Sequence, residues 1–208
     1  KGYADHYDFP WLRFGVDAPT KGNDYLLQVD YKINRATKMY VRYKSEIKEE
    51  QLAESLAISG KRKDNFRFHI NYKEGDNWAF ANRLEASSIN LGNQQEMGYM
   101  LYQDVKYKPL FSKISFTSRY VLFNTPTYDS RIYAYENDVL YGYSIPAYYG
   151  KGSKIYLVAK CNIIRNLDFW LRIAHTTYTD RMVLKSGWDE IEGNKMTEIK
   201  IQLRYGFQ

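Results

Sequence analysis

The sequence predicts an all-β protein: an antiparallel transmembrane β-barrel of about ten strands with long extracellular loops. Its last ten residues alternate, with Ile199, Ile201, Leu203, Tyr205 and Phe207 on one face and polar residues on the other. The chain is rich in aromatics, with 21 Tyr, 10 Phe and 4 Trp in 208 residues, yet its mean hydropathy is low. About 9–11 tilted residues cross a bilayer as a strand, and tyrosine and tryptophan collect at both membrane interfaces. A soluble β-sandwich, whose strands also alternate, is the competing fold.

Ten period-two runs bounded by turn residues are the predicted strands. They lie at residues 11–18, 25–33, 38–46, 63–73, 77–88, 96–107, 113–122, 154–163, 166–178 and 197–207. In the fourth run, Phe66, Phe68 and Ile70 alternate with Arg67, His69 and Asn71. We expect the apolar set to face lipid and the polar set to face the barrel interior, in one domain spanning residues 1–208.

Connection lengths predict how the barrel is oriented. The final strand of an outer-membrane barrel ends in the periplasm, and neighbouring strands alternate in direction. Counting back places the short turns at residues 34–37, 74–76, 108–112 and 164–165 in the periplasm. The long segments 47–62 and 179–196 then lie outside the cell, which is the asymmetry typical of such barrels.

Residues 123–151 separate two strands of opposite direction, so they contain either no membrane strand or two. We expect a Tyr-rich extracellular excursion; a twelve-stranded barrel is the alternative. Loop tyrosines serve equally in membrane girdles and in contact surfaces. The predicted partner contacts are Tyr133, Tyr135, Tyr141, Tyr143, Tyr148 and Tyr149.

The net charge of +6 is consistent with an acidic partner or with nucleic acid, but the position of the basic residues favours a simpler interpretation. Many of them lie in the inward phase of predicted strands, together with acidic residues. A narrow barrel fills its interior with side chains, so a paired lumen network is expected. Its members are Arg42, Arg67, Arg83, Glu85, Arg119, Arg172 and Arg204.

Part of the chain resembles a known family. The segments YENDVLYGYSIPAYYGKG, SGWDEIEGNK and the closing IKIQLRYGF resemble the C-terminal barrel of Bacteroidetes outer-membrane proteins known as helix-hairpin-helix proteins. The resemblance covers about two-fifths of the chain, and it implies a barrel in a bacterial outer membrane. In that family, short helix-hairpin-helix modules precede the barrel, and elsewhere that motif contacts nucleic-acid backbone, but no such module is visible here. No nucleic-acid partner is therefore expected from these residues.

Catalytic and metal-binding patterns are weak in this sequence. His175 lies near the outer end of its strand, with Asp180 and Asp189 in the next loop, a distant parallel to the Asp and His arrangements of barrel proteases. Its phase, shared with Leu171 and Ile173, aims it at lipid instead of a cleft. No metal-ligand spacing, phosphate loop or nucleophile elbow occurs, so we expect neither cofactor nor metal.

These observations predict a non-enzymatic outer-membrane barrel that serves as an anchor or as an accessory subunit of an envelope assembly. Its expected partners are the bilayer with its lipopolysaccharide, and another outer-membrane protein or a surface lipoprotein. The first alternative is a small anion-preferring channel, because the predicted lumen is basic. A hydrolase with its site at the rim is the second. Barrels of this size enclose little more than their own side chains, so low conductance is expected.

Overall fold

A computed structural model describes residues 1–12, 16–51, 58–91 and 94–207. These described residues form an all-β structure, with one 3₁₀ turn at Gly187–Asp189. Its strands are β1 Gly2–Phe9, β2 Thr20–Lys32, β3 Thr37–Gln51, β4 Ile58–Glu74, β5 Trp78–Leu91, β6 Gln94–Tyr107, β7 Ile114–Thr125, β8 Ile132–Tyr133, β9 Ala147–Tyr148, β10 Gly150–Ile164, β11 Leu167–Tyr178, β12 Val183–Leu184, β13 Ile191–Glu192 and β14 Lys195–Tyr205. Within these described ranges no helix is both long and apolar enough to span a bilayer.

Ten strands form one large sheet in the order β1-β2-β3-β4-β5-β6-β7-β10-β11-β14, and all its neighbours are antiparallel. The predicted all-β fold with a large antiparallel sheet is confirmed. The sheet is not closed: β1 and β14 are its edges, and no backbone ladder joins them in the described part of the chain. The short strands pair separately, β8 with β9 and β12 with β13, so they add no strands to the sheet.

The first strand differs from the prediction. Residues 11–18 were expected to form it, but Gly2–Phe9 pairs with β2 instead, from Gly2 opposite Leu27 to Phe9 opposite Thr20. Pro10 and Pro19 flank the predicted run and lack the amide hydrogen that a strand ladder uses. Residues 13–15 of that run lie outside the described residues.

The connections differ between the two ends of the sheet. At the turn end, short connections follow β2, β4, β6 and β10; the first is closed by Asn34, whose Oδ1 accepts from the amides of Ala36 and Thr37 at 2.8 Å each. The opposite, loop end carries the longer segments after β7 and β11. The strands β3 and β4 extend farther toward the loop end than predicted. Ion pairs between them, such as Lys61 with Glu50 at 3.0 Å, stabilise this extension.

The two faces of the sheet differ in character. One, the apolar face, exposes a large hydrophobic side chain at every second position of most strands. On β14 these are Ile199, Ile201, Leu203 and Tyr205, each more than half exposed. The other, the polar face, carries buried charged residues such as Arg83, Arg119 and Arg172. The side-chain period of two separates the faces, as the alternating sequence indicated.

The inner segment (residues 126–149) connects β7 to β10 and lies against the polar face. Its base is closed, because Thr125 and Gly150 are direct cross-strand partners. It forms a hairpin through β8 and β9 and the bridge between Glu136 and Ser144. It contacts strands from β4 to β14, so the sheet curves around it. The excursion predicted at 123–151 is therefore shorter, since both its ends belong to strands, and it folds back over the sheet.

Candidate functional site

The centre of the polar face is a cluster around Glu85 of β5. Arg67 on β4 donates to both of its carboxylate oxygens, at 2.7 and 3.1 Å, and Arg83 donates through Nε at 2.7 Å. Glu85 and Arg83 are buried. The period-two register brings them together, because Arg67 lies directly opposite Glu85 and Arg83 is two residues away on the same face. One carboxylate thus neutralises part of the charge of two guanidinium groups.

The other predicted lumen residues have separate partners. Arg119 on β7 contacts Asp104 on β6 with two hydrogen bonds of 2.5 and 2.7 Å, and both side chains are buried. Arg204 pairs with Asp168 at the turn end. Arg42 is apart from these pairs, and its Nε donates to the amide oxygen of Gln28 at 2.7 Å.

Basic residues of the polar face bind the backbone of the inner segment at regular intervals. Lys63 on β4 donates to the carbonyl oxygen of Arg131 at 3.1 Å, and Arg83 on β5 donates to that of Tyr133 at 3.0 Å. Arg119 on β7 donates to the carbonyl oxygen of Tyr135 at 2.5 Å, and Arg172 on β11 donates to that of Asn137 at 3.3 Å. An extended chain directs alternate carbonyls to one side, which explains the spacing. This part of the hairpin forms no backbone ladder with the described strands of the large sheet. Side chains from four strands bind its carbonyl groups instead.

The acidic residues of the inner segment form the second half of this contact. The buried carboxylate of Glu136 accepts from Lys154 on β10 at 2.6 and 2.8 Å and from Arg172 at 2.5 Å. Asp138 accepts from Lys200 on β14 at 2.7 Å. Burial alone would raise the pKa of Asp138, but hydrogen bonds from Lys200 and the Val139 amide, with the charge of Arg172, hold that pKa below its ordinary value.

Apolar residues of the inner segment cover a small hydrophobic core on β6 and β7. Ile132, Ala134 and Tyr148 pack with Met100, Tyr102, Val121 and Phe123. Gly98 leaves room where the segment begins, since a Cβ there would lie 3.2 Å from the Ser130 carbonyl oxygen and 2.8 Å from the Thr125 methyl carbon. The hairpin is therefore held by apolar packing as well as by charge.

The tip of the hairpin reaches toward the turn end of the sheet. The Tyr141 side chain lies beside Arg204, near the end of β14, and the Gly142 amide closes the tip by donating to Val139 at 3.0 Å. Tyr141 has a positive φ of 65°, a conformation that bulky residues rarely adopt. The inner segment thus spans the polar face from the loop end to the vicinity of Arg204.

The six predicted contact tyrosines occupy different environments. Tyr141 and Tyr143 are strongly exposed at the tip, and Tyr133 and Tyr135 are about half exposed. Tyr149 packs edge-on against Tyr128. Tyr148 departs from the prediction: it is buried and donates from its hydroxyl to Glu136, so it offers no surface to a partner. Burial and the Glu136 charge raise its pKa.

The candidate catalytic histidine, His175, has threonine partners. Its Nδ1 lies 2.9 Å from Thr197 Oγ1 and its Nε2 lies 3.3 Å from Thr177 Oγ1. Asp180 pairs with Arg181 at 2.8 Å, and this contact lowers the pKa of the Asp180 carboxyl. No cluster of three His, Cys, Asp or Glu side chains suited to a metal occurs in the residues that the structure describes.

Two important residues, Glu136 and Asp138, were not among the predicted site residues. In the sequence, Asn137 and Asp138 are typical turn residues within a Tyr-rich run. A signal was present in the alternation of Ile132, Ala134 and Glu136, which has the period of a strand with one buried face. Their partners on β10, β11 and β14 are distant in sequence, so the pairing becomes visible only in three dimensions.

A solvent-connected cavity of about 350 Å³ remains between the base of the inner segment and the loop-end halves of β3 and β4. Seven basic and four acidic side chains line it, an excess of three positive charges. A second basic cavity of about 290 Å³, lined by Arg35, Lys38, Lys73 and Lys106, lies near the turn end. The inner segment therefore covers the polar face only in part.

Comparison of the chain with protein-family models, with curated proteins and with solved structures finds no match.

Proposed function

We propose that this chain is an integral bacterial outer-membrane β-barrel whose lumen is occluded by its own inner segment. It acts, without enzymatic activity, as an anchor or an accessory subunit of an envelope assembly. The single observation that carries the proposal is the contrast between the two faces of the sheet. Hydrophobic side chains are exposed along the outside of most strands, while paired charges are buried inside.

The apolar face supports the membrane location energetically. Monomeric soluble proteins rarely expose contiguous apolar patches larger than a few hundred Å². Here the exposed set on β14 continues on its neighbour β11 with Ile173, and it recurs on β2 with Leu27, Val29 and Tyr31. Contact with lipid removes this surface from water and favours insertion by about 25 cal/mol per Å² of apolar area buried.

Closure of the barrel follows from the same proposal. An unpaired strand edge inside a bilayer leaves backbone amides and carbonyls without partners, at several kcal/mol each. In an antiparallel sheet of ten strands, the edges β1 and β14 run in opposite directions. They therefore have the relative orientation that direct antiparallel pairing requires, and we propose that this seam closes in the membrane.

The inner segment supports an anchor more strongly than a pore. Its contacts with basic side chains from β4 to β11 fix it across the lumen. The exposed tip tyrosines, Tyr141 and Tyr143, are the proposed contact for another envelope protein. On the orientation predicted from the connection lengths, this tip lies toward the periplasm.

A small anion-preferring channel is the second candidate, favoured by the two basic cavities on the side of the polar face nearest β3 and β4. Planar-bilayer recording of the purified chain separates the two functions. We expect low or no conductance for an occluded anchor. Large, steady, anion-selective steps would reject the anchor in favour of the channel.

Membrane integration is tested by cell fractionation. We expect the protein to sediment with outer membranes, to resist extraction by alkaline carbonate, and to be released by detergent. Release by carbonate alone would reject an integral barrel, whatever the recordings show.

A further inference from the structure

The wall of the loop-end cavity has like charges directly opposite each other at two register positions. Elsewhere on the polar face, many direct cross-strand neighbours have opposite charge, as with Asp104 and Arg119. The like-charged neighbours Arg172 and Lys200 share the carboxylates of Asp138 and Glu198. On the cavity wall formed by β3 and β4, Arg42 faces Arg67 and Lys48 faces Lys61. Like charges directly opposite each other destabilise a sheet. Such a local conflict is expected where a site serves binding.

Two cations of this wall, Arg42 and Lys63, form no direct ion pair in the described residues, although Glu46 lies opposite Lys63 in the register. Arg42 donates from Nε to Gln28 at 2.7 Å, and Lys63 donates to the carbonyl oxygens of Asp129 and Arg131 at 2.7 and 3.1 Å. No ion pair involves either residue in the ranges that the structure describes. By contrast, Lys61 pairs with both Glu50 and Asp129. The excess positive charge is therefore concentrated at Arg42 and Lys63.

The cavity ends beneath Arg42. In the next register position toward the turn end, Tyr40 lies opposite His69, and their rings stack with centroids 5.0 Å apart. The Arg42 guanidinium lies 5.5 Å from the centre of the Tyr40 ring. This aromatic layer separates the cavity from the second basic cavity, whose wall begins at Lys38 and Asn71. The loop-end cavity is thus a recess with a largely cationic wall that ends at Arg42 and Arg67, and the Tyr40 and His69 stack lies beyond them toward the turn end.

We propose that this recess binds a small soluble anion bearing a phosphate or sulfate group. A guanidinium presents a planar set of donors that matches such oxyanions, and a lysine ammonium adds a compact positive charge. The volume of about 350 Å³ is within the range of small-molecule sites. The anion lies among Arg42, Arg67 and Lys63, where it screens the repulsion between the two arginines. This site requires no conduction through the barrel.

The test is calorimetric titration of the full chain, folded in detergent micelles at low ionic strength, with inorganic phosphate and with sulfate. We expect saturable binding with one anion per chain. The double variant Arg42→Gln/Lys63→Gln should weaken it at least tenfold. The matched control is Lys160→Gln/Arg165→Gln, which also removes one lysine and one arginine but outside this cavity, on β10 beside Trp170 and in the turn that follows β10. Circular dichroism verifies that each variant keeps its β-sheet content.

Absence of binding to the wild-type chain would overturn the proposal, as would an equal loss in Lys160→Gln/Arg165→Gln, since the effect would then reflect net charge. A parallel titration with a short-chain phosphatidic acid distinguishes the sources of phosphate. We expect inorganic phosphate to bind at least as tightly as the lipid and to compete with it. Binding of the lipid alone would place the contact on the apolar face and reject the recess.

Discussion

Arg172 of β11 donates from Nη2 to Oε2 of Glu136 at 2.5 Å, and both side chains are almost fully buried. The pair joins the inner segment to a strand of the large sheet. Removing one member of a buried ion pair is costly, because the remaining charge is left without compensation. The attachment of the inner segment can therefore be tested by neutralising Glu136.

We expect Glu136→Gln to lower the free energy of unfolding by about 3 kcal/mol, because Lys154 loses its carboxylate partner while Arg172 keeps Asp138 and Glu198. Urea-induced unfolding in lipid vesicles measures it. Glu192→Gln removes the same charge from an exposed position and should change the stability by less than about 0.5 kcal/mol. Similar losses in both variants would show that Glu136 does not hold the segment.

The occlusion of the lumen is tested by replacing residues 126–149 with a two-residue Asn-Gly turn. The replacement is geometrically feasible because Thr125 and Gly150 are direct partners across β7 and β10. We expect the variant to fold into vesicles and to conduct ions in planar bilayers where the wild-type chain does not. A folded variant that remains closed would show that side chains of the sheet alone block the passage.

Acidification should weaken the attachment at Asp138. Its pKa is held below the ordinary value, so its contribution to stability is complete above about pH 4 and is lost as the pH falls through the lowered pKa. The measured quantity is the difference in the free energy of unfolding between the wild-type chain and Asp138→Asn. We expect this difference to be largest at neutral pH and to shrink below about pH 4. A difference that stays constant with pH would contradict this role.

Much of the sheet is predictable from the sequence because its strands alternate strictly. The face that exposes Ile201 and Leu203 and the face that carries Arg172 follow from a period of two, which the backbone of any strand imposes. Predicted runs near β2 to β7, β10, β11 and β14 correspond to observed strands. The first strand was predicted at 11–18, but Gly2–Phe9 pairs with β2 instead, and Pro10 and Pro19, which lack an amide hydrogen, flank the predicted run.

The position of the inner segment could not be predicted in the same way. Its attachment depends on complementarity between Glu136 and Asp138 and the cations of β10, β11 and β14, and nothing in the local sequence specifies such distant partners. The turn residues within it and its many tyrosines are typical of an exposed loop. Alternation at Ile132, Ala134 and Glu136 was the available local signal.

The membrane environment of the apolar face is tested by placing arginine on either side of β14. Ile201→Arg puts a charge on the apolar face, where a bilayer imposes a penalty of about 2–4 kcal/mol near its midplane. Gln202→Arg puts the same side chain on the polar face and should cost much less. Refolding into vesicles gives both values. In a water-exposed sheet, Ile201→Arg would instead change the stability by about 0.5 kcal/mol or less.

The central claim is that one face of the sheet lies in lipid, and nitroxide labels along β14 test it most directly. In a Cys161→Ala background, which removes the single cysteine, residues 199–204 are labelled one at a time in chain reconstituted into vesicles. We expect oxygen accessibility to peak at 199, 201 and 203, with a water-soluble nickel chelate excluded from those positions. Uniform access of the chelate along the strand, or failure of the chain to associate with the vesicles, would contradict the membrane barrel.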